Sequence, residues 1–196
     1  PGWTLPGVMN AGAAQIALKG GGSVPSGRVV LAGGGPLLLL VACQLLDAGA
    51  DVAGIVETSP GTTRRMAMRH VLGTLGAPAP LLKGLGMMRR LRAAGVPWYT
   101  QATELGVDGV GRASGLRFQA KGQNHTIDCD VLLLHHGVVP NTQISRLLRV
   151  EHRWDDLQLA WCPQVDAWGQ TSLSGFRIAG DGAAIAGALA AEASGA

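Results

Sequence analysis

The sequence predicts an α/β fold: a parallel sheet with an inserted antiparallel three-stranded meander, followed by part of a second domain. Three observations predict it. Residues 28–57 (RVVLAGGGPLLLLVACQLLDAGADVAGIVE) read as strand, glycine turn, helix, strand. Residues 103–129 form three short alternating runs separated by turn residues. A second passage from strand to glycine to helix falls at 176–193. Strands alternating with helices build parallel sheets, because parallel neighbours need a crossover between them.

Size and composition set the outer limits. The 196 residues suffice for one domain, or for one domain plus part of another. The chain is 47% apolar, holds 30 glycines and is only 15% charged, which suits a folded protein with close backbone contacts. A net charge of +3 without a Lys/Arg run gives no signal for nucleic acid. The longest apolar run, Leu37 to Cys43, falls far short of the roughly 20 residues that cross a bilayer. No signal-peptide pattern is visible at the start. Cys43, Cys129 and Cys162 are far apart and form no C-x-x-C, which weakens redox-disulfide and zinc readings and makes a reducing cytoplasm the expected compartment. The chain begins at Pro1 without methionine and is expected to be a portion of a longer protein.

The elements follow in order. Pro1 to Pro6 is extended and turn-rich, and Val8 to Lys19 is predicted helical with Asn10 as a cap. Gly20 to Gly27 (GGGSVPSG) is a flexible linker that separates residues 1–27 from a domain over 28–137. Val29 to Ala32 is a buried parallel strand. Gly33, Gly34 and Gly35 come next, and Pro36 takes the first helical position, where a missing N–H costs nothing. Leu37 to Cys43 is apolar all round, so that helix is covered on most sides until Gly49 stops it. Val52 to Val56 is the second strand and ends on Glu57.

This is half of a Rossmann-like nucleotide-binding unit. A glycine turn lets the backbone approach a pyrophosphate, and the helix N-terminus supplies free N–H groups at a positive dipole end. An acid closing the second strand accepts the ribose hydroxyls. Glu57 follows Gly33 by 24 residues, close to the roughly 20 expected. The alternative is a tight glycine turn in an α/β protein that binds no nucleotide. The third glycine of G-x-G-x-x-G falls at Leu38, where leucine is expected to push the helix away from the strand.

Beyond Glu57, Ser59 and Pro60 open an amphipathic helix with Met68, Val71, Leu72 and Leu75 on one face. Arg64, Arg65 and Arg69 lie mostly off that stripe, on a solvated face or within reach of a phosphate. A helix from Leu81 to Ala94 turns Leu81, Leu85 and Met88 inward and stops at Gly95. Trp98 to Gln101 is the third parallel strand. The meander uses Thr103–Val107, Leu116–Ala120 and His125–Cys129, with turns at Asp108-Gly109 and Lys121-Gly122. Asp130 to His136 is a buried strand running into Gly137. Ile144 to Leu148 is a short helix, and the stretch with Trp154, Trp161 and Trp168 reads as irregular. Phe176 to Ala179 is a strand ending at Gly180 and Asp181, and Ala183 to Ala193 is a helix of small residues. His135 and His136 end a strand, so at most one of them faces a site. No metal spacing, G-x-S-x-G turn or Tyr-x-x-x-Lys pair is present in the sequence.

This order of pieces resembles the two-dinucleotide flavoproteins of the pyridine nucleotide-disulfide oxidoreductase superfamily. The resemblance implies that residues 28–137, ending in GVVPNT from Gly137, form an NAD(P)-binding domain inserted in an FAD domain. Residues 1–27 and 138–196 would then be an incomplete FAD domain. The family's strand-Gly-Asp motif would place Asp181 on the ribityl or pyrophosphate part of FAD, although an aspartate there also serves as a helix cap. PGWTLPGVMNAGAAQ, AGGGPLLLL, HHGVVPNTQ and AGDGAAIAGALAAEASG resemble the α subunits that serve bacterial opine oxidase, hydroxyproline dehydrogenase and hydrogen cyanide synthase. That implies oxidation of an amino-acid-like C–N bond with partner oxidoreductase subunits, electrons leaving through flavins and an iron–sulfur centre. NADH-using members carry an acid at the position of Leu40, so nicotinamide exchange is not implied here. Glu57 favours NAD or ATP over NADP. The family's N-terminal FAD-binding glycine motif and its cysteine-rich segment are absent from these residues, so the isolated chain is expected to hold little FAD and to lack turnover.

Overall fold

The computed structural model describes residues 1–60, 78–156 and 158–195. The expected helix with Met68, Val71, Leu72 and Leu75, and the arginines beside it, lie outside the described residues. Two compact units divide at Gly137 and Val138.

In the first unit, β1 (Val8–Asn10), β2 (Arg28–Gly33), β3 (Asp51–Glu57), β4 (Trp98–Tyr99) and β8 (Val131–His135) form one parallel sheet in the order β1-β8-β2-β3-β4. The meander strands β5 (Thr103–Asp108), β6 (Gly115–Ala120) and β7 (Gln123–Asp128) form a second, antiparallel sheet. Alternation along β2 explains how the layers stack. Val29 and Leu31 face the helices, α1 (Ala11–Gly21), α2 (Pro36–Asp47) and α3 (Pro78–Ala93), in one core cluster. Val30 and Ala32 face the meander, where they meet Leu116, Phe118 and Ile127. Both faces of the sheet are therefore dry, as the unbroken apolar run of β2 requires. Lys121 and Gly122, both at positive φ, make the two-residue turn between β6 and β7.

Four expectations need correction here. The Val8–Lys19 helix begins only at Ala11, because Val8–Asn10 pair with Leu132–Leu134 of β8 as an edge strand. Asn10 does cap α1, accepting the Gly12 N–H at 2.7 Å. Asp108-Gly109 opens a longer loop from 109 to 114 rather than a tight turn. Leu85, expected inward, is 45% exposed, and Leu91 fills the core instead. The α1 helix also runs on to Gly21, so the flexible part of the linker shortens to the residues after Gly22.

The second unit holds α4 (Gln143–Leu147), β9 (His152–Asp155), β10 (Ala160–Pro163) and α5 (Ala188–Gly195). The stretch read as irregular contains a hairpin, with Trp154 paired to Trp161 and their rings edge to face at 5.7 Å. Phe176–Ala179 is not a strand; it makes only an isolated bridge between Gln170 and Arg177. The reason is local: the Thr171 hydroxyl and the Gln170 amide both bond the Phe176 carbonyl, closing a tight loop in place of a ladder. The Ala183–Ala193 helix starts only at Ala188, because Gly187 sits at φ +97° and interrupts it. Among the described residues no helix is long and apolar enough to cross a membrane, and Cys43, Cys129 and Cys162 are buried free thiols.

Candidate functional site

The sheet order fixes where a ligand fits. From β2 the chain crosses to β3 and β4 on one side, then returns to β8 on the other. The strand order therefore reverses between β2 and β8, and the crevice at their carboxyl ends is the favoured ligand position in open α/β sheets. Gly33 lies there, opposite His135 on β8 and Glu57 on β3.

Each glycine of the bend has a different duty. Gly33 sits at φ +139°, and a Cβ on it would lie 1.7 Å from the His135 carbonyl oxygen, so only glycine fits. Gly34 donates its N–H to that same carbonyl at 2.9 Å and packs under Ser59. Its amide is therefore committed to holding the bend. Gly35, at φ +89°, is the N-cap of α2 and has open space around it. Pro36 occupies the first helical position. The Gly35 and Leu37 N–H groups take no carbonyl among the described residues, which leaves them for an anion at the positive end of the helix.

Glu57 ends β3 beside Gly33. It shares a sheet face with Ile55, which belongs to the helix-side core, so its carboxylate stands on the same side as α2. The Trp98 indole N–H donates to Glu57 Oε2 at 3.3 Å. Oε1 takes no hydrogen bond among the described residues. The open Gly35, the two free amides and the open oxygen fit an adenosine diphosphate moiety. The nicotinamide end fits less well. Leu38 is 1% exposed and packs with Val29 and Leu31, filling the space a glycine would leave between helix and strand. Leu40 is half-buried and offers no charge.

His135 is buried at the crevice, and burial, then the neighbouring His136, hold its imidazole below the usual histidine range. It is therefore neutral near pH 7. Gly137, at φ +117° and exposed, follows immediately. In the second unit, Gly180 and Asp181 begin a 3-10 turn. The Gly180 N–H is taken by Ser194 Oγ at 2.7 Å, and Asp181 is exposed and does not cap that turn, whose N-cap is Ala179. A groove of about 700 Å³ runs beside Gly180, lined by Trp168, Arg177 and Ser194 among others, and Asp181 lies outside its wall. A smaller, mainly apolar cavity of about 410 Å³ between β1, α1 and residues 23–26 is remote from the glycine bend.

Sequence reasoning located the bend, Pro36 and Glu57, but not Trp98. Its bond to Glu57 spans 41 residues and leaves no periodic signal.

Over 195 residues, all of this chain, the sequence is 43% identical to the opine oxidase A subunit from Rhizobium meliloti. Throughout its own length the chain is similar in sequence to the opine oxidase A subunit. It spans only 37% of that protein's length. It is also 36% identical over 200 residues to hydrogen cyanide synthase subunit HcnB of Pseudomonas aeruginosa, covering 97% of this chain and 42% of HcnB. No family profile matches the chain. Among solved structures, L-proline dehydrogenase from P. horikoshii superimposes with a TM-score of 0.57 at 15% identity, over 93% of this chain and 27% of that one. Thioredoxin reductase from T. acidophilum and a bacillithiol disulfide reductase from Staphylococcus aureus share the fold at a TM-score of 0.54. The chain shares its fold with these solved structures. The opine oxidase relationship covers both units from end to end, so it includes the glycine bend and Asp181 alike.

Proposed function

We propose that this relative of the opine oxidase A subunit is part of a flavin-dependent oxidoreductase that oxidises an amino-acid-like C–N bond of the opine, hydroxyproline or glycine type. The observation that carries the reading is the end-to-end identity of 43% with a protein named for opine oxidation. The names of the relatives as subunits support partner oxidoreductase subunits. FAD would supply hydride acceptance in the complete protein; this chain would contribute Gly180 and Asp181 to its site. Residues 138–196 are proposed as part of that flavin domain, residues 1–27 as the segment that enters from it while β1 and α1 pack on the sheet of the first unit, and 28–137 as a nucleotide-binding domain, placed in the cytoplasm. Within the nucleotide domain, Gly35 and Leu37 would bind the diphosphate of NAD or ATP, Gly33, Gly34 and Pro36 would shape the bend, Gly137 would border it, and Glu57 would accept the ribose hydroxyls.

A second reading is a non-catalytic assembly module that binds NAD or ATP and docks a catalytic partner. Leu38 in the core and an uncharged Leu40 favour it, because neither helps a nicotinamide exchange hydride. Calorimetric titration of the chain with NADH, NADPH, ATP and FAD separates the two. The first reading expects weak, sub-stoichiometric FAD binding by this incomplete flavin domain alongside NADH or ATP, and the second expects ATP or NADH with no FAD at all. Tight NADPH binding contradicts the role given to Glu57, since a carboxylate repels a 2′-phosphate.

A further inference from the structure

We infer that Trp98 is a positioning residue for the nucleotide ribose: its indole N–H fixes the Glu57 carboxylate so that Oε1 faces the sugar diol. The inference deepens the proposed nucleotide site and rests on Glu57 being its ribose-binding group. Three features of the fold carry it. Trp98 lies directly opposite Ile55 on the neighbouring parallel strand, and Glu57 is two residues farther along β3. Side chains two apart share a face, so the indole reaches diagonally from Ile55 to the carboxylate. Its side chain is partly buried against the helix-side core, to which Ile55 belongs, and that packing limits the freedom of the ring. A partly buried indole N–H needs an acceptor, and it donates only. Here the acceptor is Glu57 Oε2 at 3.3 Å.

A free glutamate at a strand end samples several rotamers, and ordering it on binding costs affinity. The indole removes part of that cost in advance. The indole engages Oε2 and leaves the second oxygen for the ligand. The indole therefore adds nothing to binding of a nucleotide that lacks the hydroxyls.

The test uses the full chain with ADP and 2′,3′-dideoxy-ADP as probes. Wild type is expected to bind ADP more tightly than the dideoxy analogue. Trp98→Phe keeps an aromatic ring and loses the N–H. It is expected to weaken ADP about five- to tenfold and leave dideoxy-ADP unchanged, so the ratio of the two affinities collapses. A ratio depends on the binding site and is independent of the fraction of protein that is folded. Equal weakening of both ligands, the signature of adenine stacking or general damage, overturns the inference. So does an unchanged ratio in the variant. If wild type itself fails to prefer ADP, the ribose role of Glu57 falls first and takes this inference with it. The Trp98 indole proton gives a readout on wild type alone: its NMR resonance is expected to move with ADP and stay put with dideoxy-ADP, and equal movement with both contradicts the assignment.

Discussion

Replacing Gly33 by alanine is expected to unfold the first unit or lower its melting temperature by more than 8 °C. A Cβ built on Gly33 lies 1.7 Å from the His135 carbonyl oxygen and 3.1 Å from the His135 nitrogen. Both atoms are backbone of β8, so no rotamer change relieves the clash. The φ of +139° adds strain of its own for any L side chain. Relief requires prising β2 from β8 at the centre of the parallel sheet. That would break the Gly34 to His135 hydrogen bond and open the packing between Leu31 and Leu133. Overpacking of this kind belongs to the rare class that costs about 4 kcal/mol or more. In a chain of this size each kcal/mol moves the midpoint by about 2–4 °C. Circular dichroism melts decide it. Gly35→Ala is the comparison: it has the same sign of φ but open space around it, so its effect is expected to be smaller.

The largest effect on binding is expected at Glu57. Glu57→Ala should raise the Kd for ADP about 10- to 100-fold in calorimetric titration. A hydrogen bond to a charged group contributes about 1.5–3 kcal/mol, and each 1.4 kcal/mol is tenfold in affinity. The fold should tolerate the change. Glu57 is half-exposed at the last position of β3, and its backbone bonds, including the one from Ala102 N–H to the Glu57 carbonyl, survive the substitution. A Kd within twofold of wild type, with the melting temperature unchanged, would remove Glu57 from the site.

What the sequence revealed and what it hid have physical causes. The unit from Arg28 to Glu57 was legible because each part is encoded locally. An apolar run, three glycines, a proline at the first helical position and a strand-ending acid fall in one window. The meander was legible through alternation and the Lys121-Gly122 turn. The edge strand β1 was not, since its three residues are ordered by Leu132–Leu134, more than 120 positions away. The β9–β10 hairpin was hidden because His152 to Asp155 shows no apolar alternation; Trp154 is 45% exposed and faces Trp161 rather than a core. Phe176–Ala179 looked like a strand by composition, yet side-chain hydrogen bonds from Gln170 and Thr171 drew its backbone into a loop. At the site itself, the roles of the three glycines were not separable in sequence. Only the register of β2 against β8 shows that Gly33 makes the close approach, Gly34 locks it and Gly35 is left open.

The backbone amides of the bend allow a direct test. In an NMR titration of the chain with ADP, the Gly35 and Leu37 amide resonances are expected to shift strongly and saturate together. The Gly34 amide, already bonded to His135, should move little. Shifts confined to residues away from residues 33–38, or no shifts at millimolar ADP, would contradict the account of the glycine bend as a diphosphate site.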